Sequence, residues 1–242
     1  MPVSTPLFRE DAYLKTEQAA VLAINDRGGI VLDKSIFYPT SGGQPGDGGQ
    51  LIVDGAVCPI ATTVYDADRA TIVHVPAEGA TAVPEPGATV TMELDWQKRH
   101  AHMRIHTALH LLCSLIPFPV TGGQIGAGDG RLDFDIEDAG ALDKELLTTK
   151  LNELVDADHA VTTRWIADEE LEANPDLVRT MAVKPPMGSG KVRLVAIGPD
   201  GSVDLQPCGG THVKSTSEIG ALAVTKIEKK GKQNRRVRIA FA

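Results

Sequence analysis

The sequence predicts an α+β fold: a small, glycine-rich β-barrel domain over residues 1–95, then an α+β domain over 96–242 with helices packed on an antiparallel sheet. Three observations predict it. Between residues 16 and 94, short apolar stretches alternate with Gly, Pro and Asp, the punctuation of a small all-β domain. After Asp95 the texture changes abruptly to apolar residues at helical spacing. Towards the C-terminus, two pairs of strand-like segments flank turn sequences.

The stretches 19–24, 29–32, 50–53, 71–75 and 89–94 read as strands of a barrel or sandwich, the last one preceded by the Pro- and Gly-bearing segment 83–88. The run DWQKRHAHMRIHTALHLLCSLI reads as a helix through Ile105, Ala108, Leu109, Leu112 and Ile116. Residues 143–158 read as a second amphipathic helix through Leu146, Leu147, Leu151, Leu154 and Val155, and 168–173 as a short third. Segments 192–197 and 202–205 flank the turn Gly198-Pro199-Asp200-Gly201, and 221–228 and 236–241 flank KKGKQN, which gives two hairpins. There is no internal repeat.

The chain has 242 residues, 42% hydrophobic and 23% charged, enough to bury a sizeable core. No apolar run approaches the ~20 residues of a membrane-spanning helix. The start, MPVSTPLFRE, lacks the layout of a secretion signal, so a cytoplasmic protein is expected. Cys58, Cys113 and Cys208 are odd in number and irregular in spacing, which argues for reduced thiols and leaves a metal or catalytic role open. A net charge of −8 excludes indiscriminate coating of nucleic acid but permits a local basic face. No obligatory protein partner is evident.

His106 and His110 stand four apart on the first long helix, so both imidazoles project from one face and can share an ion. Alone, the pair reads equally well as two partly exposed helix histidines. Cys208-Gly209-Gly210-Thr211-His212 supplies a second half-site, a thiolate and an imidazole separated by glycines able to take backbone angles that other residues resist. Helix pair and loop pair make four ligands for one ion, and mixed nitrogen and sulfur ligation suits Zn2+ better than Mg2+ or Ca2+. His102 and Cys113, on nearby faces of the same helix, rank below them as replacement ligands. Four protein ligands ordinarily mark a structural zinc, whereas a catalytic zinc keeps a position for water or substrate, and spacing leaves both open.

His106-Thr107-Ala108-Leu109-His110 together with Cys208-Gly209-Gly210-Thr211-His212 resembles the paired signature of the alanyl-tRNA synthetase editing domain. A similar module occurs in threonyl-tRNA synthetase. The segment Phe37-Tyr38-Pro39-Thr40-Ser41-Gly42-Gly43-Gln44-Pro45-Gly46-Asp47-Gly48-Gly49 resembles the glycine-rich motif of the alanyl branch, with Ser41 where the commoner form has a third glycine. Thr121-Gly122-Gly123-Gln124-Ile125-Gly126 with Arg131-Leu132-Asp133-Phe134 is similar to the family's pocket loop and following strand. The likeness covers essentially the whole chain. With no aminoacylation domain and no room for one, the sequence is identified as a member of the medium-length freestanding AlaX class, expected to edit in trans.

The resemblance implies zinc-dependent hydrolysis of the ester joining a wrong amino acid, serine first and glycine second, to tRNA(Ala), with no redox cofactor or nucleoside triphosphate. The partner is then the acceptor end of tRNA(Ala). In that setting Gln124 and Gln44 would orient water or substrate, and the Gly209 and Gly210 N–H groups would stabilise an oxyanion, with Thr211 a weaker candidate. Thr40, Thr107 or Gln44 would bond a serine hydroxyl. On the strand after the pocket loop, Arg131 and Asp133 alternate with Leu132 and Phe134, which aims them at a site cleft, with Arg131 a candidate substrate contact, or at solvent as a plain surface pair. Lys226, Lys229, Lys230, Lys232, Arg235, Arg236 and Arg238 gather on the last hairpin, suited to gripping phosphates or simply solvated. Arg179, Lys184, Lys191 and Arg193 border 181–190, expected to be a mobile loop near the site. Two other readings stand beside this one: a non-catalytic tRNA-binding module with a structural zinc, and a zinc hydrolase of small aminoacyl esters.

Overall fold

A computed structural model describes residues 4–137, 142–179 and 190–242. Lys184 and the loop expected over 181–189 lie outside the described residues. The architecture mixes α and β, with a closed six-stranded barrel and three α-helices among the described residues. The chain divides into two compact units, Met1–Ala101 and His102–Ala242. The 20-residue helix that starts at Trp96 belongs to both.

In the first unit the strands are β1 (Thr5–Pro6), β2 (Thr16–Ile24), β3 (Ile30–Leu32), β4 (Lys34–Ser35), β5 (Gly49–Val53), β6 (Ala56–Tyr65), β7 (Ile72–Pro76) and β8 (Thr89–Leu94). The barrel closes in the order β2-β3-β7-β6-β5-β8, every neighbour antiparallel. Alternation drives it: along β8, Val90, Met92 and Leu94 turn inward while Thr89, Thr91 and Glu93 turn out. The inward residues join Val21, Leu32, Leu51, Cys58 and Ile60 in one core. Sequence patterning missed β6, the longest strand of the barrel, because Pro59 interrupts it; Pro there still accepts through its carbonyl, from the Ala77 N–H.

The glycine-rich segment is shaped by close backbone approaches. A Cβ on Gly46 would lie 1.9 Å from the Thr63 carbonyl oxygen, and Gly49, at φ +154°, would set one 2.2 Å from the Glu93 carbonyl oxygen. Buried Asp47 secures the segment. Its Oδ2 accepts the Tyr38 N–H at 2.5 Å and the Arg99 guanidinium through Nε and Nη2, while Arg99 also donates to the Ala12 and Ile36 carbonyls.

In the second unit the elements are α1 (Trp96–Leu115, shared with the first), β9 (Val120–Ile125), β10 (Asp129–Asp135), α2 (Lys144–Asp156), β11 (Val161–Ala167), α3 (Asp168–Ala173), β12 (Lys191–Ile197), β13 (Asp204–Pro207), β14 (Leu222–Lys230) and β15 (Asn234–Phe241). They form an antiparallel sheet ordered β14-β15-β10-β9 and a second ordered β11-β12-β13. Helix α1 packs closely on β10: a Cβ on Gly130 would come within 2.6 Å of Ile105 Cγ2. Helix α2 starts at Asp143, whose carboxylate caps the Leu146 N–H, and its buried stripe is Leu147, Leu151 and Val155. Leu146, expected on that stripe, is exposed because it falls outside the i, i+4 line. Thr121 to Ile125 lie in strand β9, not the loop the resemblance implied: Gly122 to Ile125 pair with β10, and the register shifts at Thr121.

Candidate metal centre

Helix α1 presents His106 and His110 from consecutive turns, and the loop after β13 presents Cys208 and His212. The four ligand atoms lie within 4.8 Å of one another, a group that can hold a metal ion. Cys208 Sγ stands 3.5 Å from His106 Nε2 and 3.3 Å from His212 Nε2. All three histidines are buried. His102 and Cys113, though also buried, are not members of the group.

Three of the four candidate ligands are held by partners outside the cluster. The His110 Nδ1–H donates to Asp204 Oδ2 at 2.8 Å, so its Nε2 faces the cluster. Thr107, whose hydroxyl donates to the Met103 carbonyl at 3.0 Å, has its oxygen 3.2 Å from His212 Nδ1, which turns the His212 Nε2 lone pair inward. The same oxygen accepts the Val213 N–H. Arg193, only 7% exposed, donates through Nη1 to the carbonyls of Cys208 and Gly210, both at 2.9 Å. It holds the loop from within, whereas the sequence had placed it beside a mobile segment.

Electrostatics favour a thiolate. Burial opposes charge on Cys208, but the neighbouring His106 and His212 outweigh it and hold the thiol well below its ordinary value. Burial likewise disfavours an imidazolium at His110, yet the Asp204 bond and the nearby Cys208 raise it to about 10. Burial, followed by repulsion from His106, pushes His212 well below its ordinary value. Nitrogen and sulfur donors at this spacing form the set that Zn2+ prefers.

The glycines of the loop do not take the special backbone angles that the sequence suggested. Neither Gly209 nor Gly210 has a left-handed φ, and a Cβ on Gly209 would meet nothing within 4 Å. Gly209 therefore leaves open space beside Cys208, while the Gly210 N–H donates to Cys208 Sγ at 3.4 Å. Thr211 is fully buried.

The outward face of the four-stranded sheet gathers a second group. Arg131 Nε donates to Gln124 Oε1 at 3.2 Å, and Arg131 and Arg236 both bond Asp133, the latter through two nitrogens at 2.7 and 2.8 Å. Gln124, Arg131 and Arg236 are thus brought together. Arg235 faces the other way, 3% exposed, and donates to the carbonyls of Glu137 and Asn234. That inward role follows from strand alternation, with Val237 and Ile239 buried beside it. Arg238 pairs with Glu228, which leaves Lys226, Lys229, Lys230 and Lys232 as the exposed cations of the hairpin. Lys191 lies 4.9 Å from the Trp165 ring, and Arg179 donates to the Cys113 carbonyl.

Thr40 and Gln44 lie in the first unit. The Thr40 hydroxyl accepts the Gly46 N–H and donates to the Thr63 carbonyl, and Gln44 is fully buried. Sequence reasoning missed Asp47, Arg99 and Asp204, each a buried charge whose partner stands far along the chain. An acidic residue inside a glycine-rich run was the one available signal for Asp47.

Comparison with known proteins places this arrangement in a class. Residues 192–238 match the family profile described as the threonyl and alanyl tRNA synthetase second additional domain, and residues 10–98 match that of class II (A) tRNA synthetases. Both matches are to segments of tRNA synthetases. An alanyl-tRNA editing protein AlaX-M of Methanosarcina mazei is 33% identical over 96% of this chain and 94% of its own, and one from Methanosarcina acetivorans is 33% identical over 96% of both. An alanine--tRNA ligase of Pyrobaculum calidifontis is 35% identical over 95% of this chain but only 26% of its own length. The chain belongs to the AlaX-M family of alanyl-tRNA editing proteins. No helix among the described residues is long and apolar enough to cross a membrane.

Proposed function

We propose that this chain is a trans-acting hydrolase that removes a wrongly attached amino acid, serine first and glycine second, from the acceptor end of tRNA(Ala). The observation that carries the proposal is the buried His106, His110, Cys208 and His212 cluster beside the open space at Gly209, in a chain of this family. Three imidazole nitrogens and a thiolate suit one Zn2+ held by these four side chains. A zinc ion there would supply Lewis acidity, polarising an oxygen or acidifying a water.

The chain's own groups would do the positioning. With its Oε1 engaged by Arg131, Gln124 presents its amide N–H2, a donor suited to the ester carbonyl or to a water. The Gly209 backbone, open on its Cβ side, admits substrate close to Cys208. The Gly210 N–H serves the sulfur instead. Thr107 is spent on His212, and the Thr40 hydroxyl on the Gly46 N–H and the Thr63 carbonyl, so a serine hydroxyl would be read by another group. Phosphate contacts fall first to Lys229 and Lys232, since Arg235 is buried, Arg236 pairs with Asp133, and Arg238, Lys226 and Lys230 all share Glu228.

One observation favours a second reading. Four protein ligands complete a tetrahedron, the mark of a structural zinc, and would make the chain a tRNA-binding module without hydrolytic activity. Deacylation of seryl-, glycyl- and alanyl-tRNA(Ala) by wild type, Cys208→Ala and Gly209→Ala, with zinc content measured in parallel, separates the two. Rapid release of serine with alanine spared, lost in Cys208→Ala, supports editing. Bound zinc with intact seryl-tRNA supports the binding module. Charge reversal at Lys229 and Lys232 should weaken tRNA turnover and leave hydrolysis of small aminoacyl esters unchanged; equal loss on both would point away from RNA.

A further inference from the structure

We infer that Asp204 is a positioning residue for the metal: its carboxylate fixes the orientation of His110 and sustains the affinity of the whole cluster, with Gln206 as its clamp. The inference rests on the metal reading proposed above. Asp204 lies on β13, four residues before Cys208, so the strand that supports it also delivers the loop ligands. Its side chain is 1% exposed, and its Oδ2 accepts both the His110 Nδ1–H and the Gln206 Nε2–H at 2.8 Å. Gln206 is itself 6% exposed, with Nε2 3.2 Å from His110 Nδ1.

A buried carboxylate is costly to keep ionised without compensating charge. Among the described residues, Asp204 has no Lys or Arg ion-pair partner; its charged neighbour is His110, and its Oδ1 is buried without a hydrogen bond. Both of its bonds fall on one oxygen, and its charged partner is a residue of the metal cluster itself. A cation on the far side of the His110 ring explains this arrangement, because the carboxylate then polarises the imidazole, raises the basicity of Nε2 and locks the ring in its ligating orientation.

The geometry also supplies a control. Since Gln206 Nε2 already stands near His110 Nδ1, exchanging amide and carboxylate between positions 204 and 206 restores a carboxylate within reach of the same ring nitrogen. The experiment measures Zn2+ affinity by competition with a chromophoric chelator, and the d–d and sulfur-to-metal bands of the Co2+-loaded protein, for wild type, Asp204→Asn and Asp204→Asn/Gln206→Glu. Circular dichroism establishes that each variant is folded. The inference expects Asp204→Asn to bind Zn2+ about 10- to 100-fold more weakly with altered Co2+ bands, and the exchanged double variant to recover most of the loss.

Wild-type affinity and spectrum in Asp204→Asn would overturn it, as would a folded double variant no better than the single one, which would assign Asp204 to packing. Failure of the wild type to bind either metal would also overturn it. All readouts are taken without RNA. A metal-binding wild type that leaves seryl-tRNA intact therefore defeats the editing proposal and not this one.

Discussion

Replacing Arg99 by Met should unfold the first unit under mild denaturation. Arg99 and Asp47 are both 1% exposed, and the guanidinium spends Nε and Nη2 on Asp47 Oδ2, Nη1 on the Ala12 carbonyl at 2.8 Å and Nη2 also on the Ile36 carbonyl at 2.6 Å. Methionine fills much of the volume but leaves the Asp47 carboxylate buried with the Tyr38 N–H as its remaining donor. Stripping one partner from a buried ion pair costs about 3–5 kcal/mol, and two carbonyls lose a donor at about 1 kcal/mol each. The total approaches the whole stability of a typical domain, about 5–15 kcal/mol. Asp47→Asn added to Arg99→Met removes the stranded charge and keeps an acceptor for Tyr38, so the double variant should regain about 2 kcal/mol. Urea unfolding followed by far-UV circular dichroism reads both. A single variant within about 1 kcal/mol of wild type, or a double variant no more stable than the single, would refute the reasoning.

Three further outcomes follow from the same geometry. His74 is buried with Nδ1 on the Ile30 carbonyl and Nε2 on Ser35, and burial holds it down to about 4. Because that lies below the unfolded value of about 6.5, His74 stabilises the fold fully above pH 6.5, and the contribution is lost as pH falls towards 4, by up to about 3 kcal/mol. Urea midpoints at pH 7 and pH 4.5 should therefore diverge in wild type and converge in His74→Gln; equal divergence in both would discount His74. Thr107→Val should lower both stability, by about 1–3 kcal/mol, and zinc affinity, since it strips the acceptor from His212 Nδ1 and the Val213 N–H, while Thr107→Ser should retain both. Thermal melts with and without chelator test this, and a valine variant that binds zinc as tightly as wild type would refute it. Gly46→Ala, whose Cβ would lie 1.9 Å from a backbone oxygen, should fail to give soluble folded protein, whereas Gly209→Ala should melt as wild type does.

The four cluster residues were legible because each half-site is local: two histidines one helical turn apart, and a cysteine and histidine four apart in a glycine loop. What orients them was not, because Thr107 meets His212 across 105 positions and Asp204 meets His110 across 94. Distance along the chain hides such pairs from any pattern of spacing. The barrel was readable from alternation except at β6, where Pro59 breaks the apolar rhythm without breaking the strand. Basic residues on the last hairpin read as one patch in sequence, yet pairing and strand alternation divide them, burying Arg235 and neutralising Arg236 and Arg238. Glycine was over-read at 209 and 210: neither takes a left-handed angle, and at 209 the consequence is open space.

The two half-sites differ in how they are made rigid, and that difference bears on what the site can do. His106 and His110 inherit their position from α1, which is seated against β10 at Gly130, so their spacing is fixed by the helix itself. Cys208 and His212 sit on a loop whose backbone imposes nothing comparable, and tertiary bonds supply the order instead: Arg193 grips two loop carbonyls, and Thr107 reaches from α1 to His212. A loop ordered this way can leave one side open at Gly209 without slackening at the ligands. Loss of Arg193 should therefore displace Cys208 far more than His106 or His110, which would weaken the sulfur-to-metal band of a Co2+-loaded protein before it abolished binding. The same arrangement suits an arginine at position 193. Its Nη1 reaches the carbonyls of Cys208 and Gly210 together, and the more compact ammonium of lysine, without the planar fork, would hold that pair less firmly.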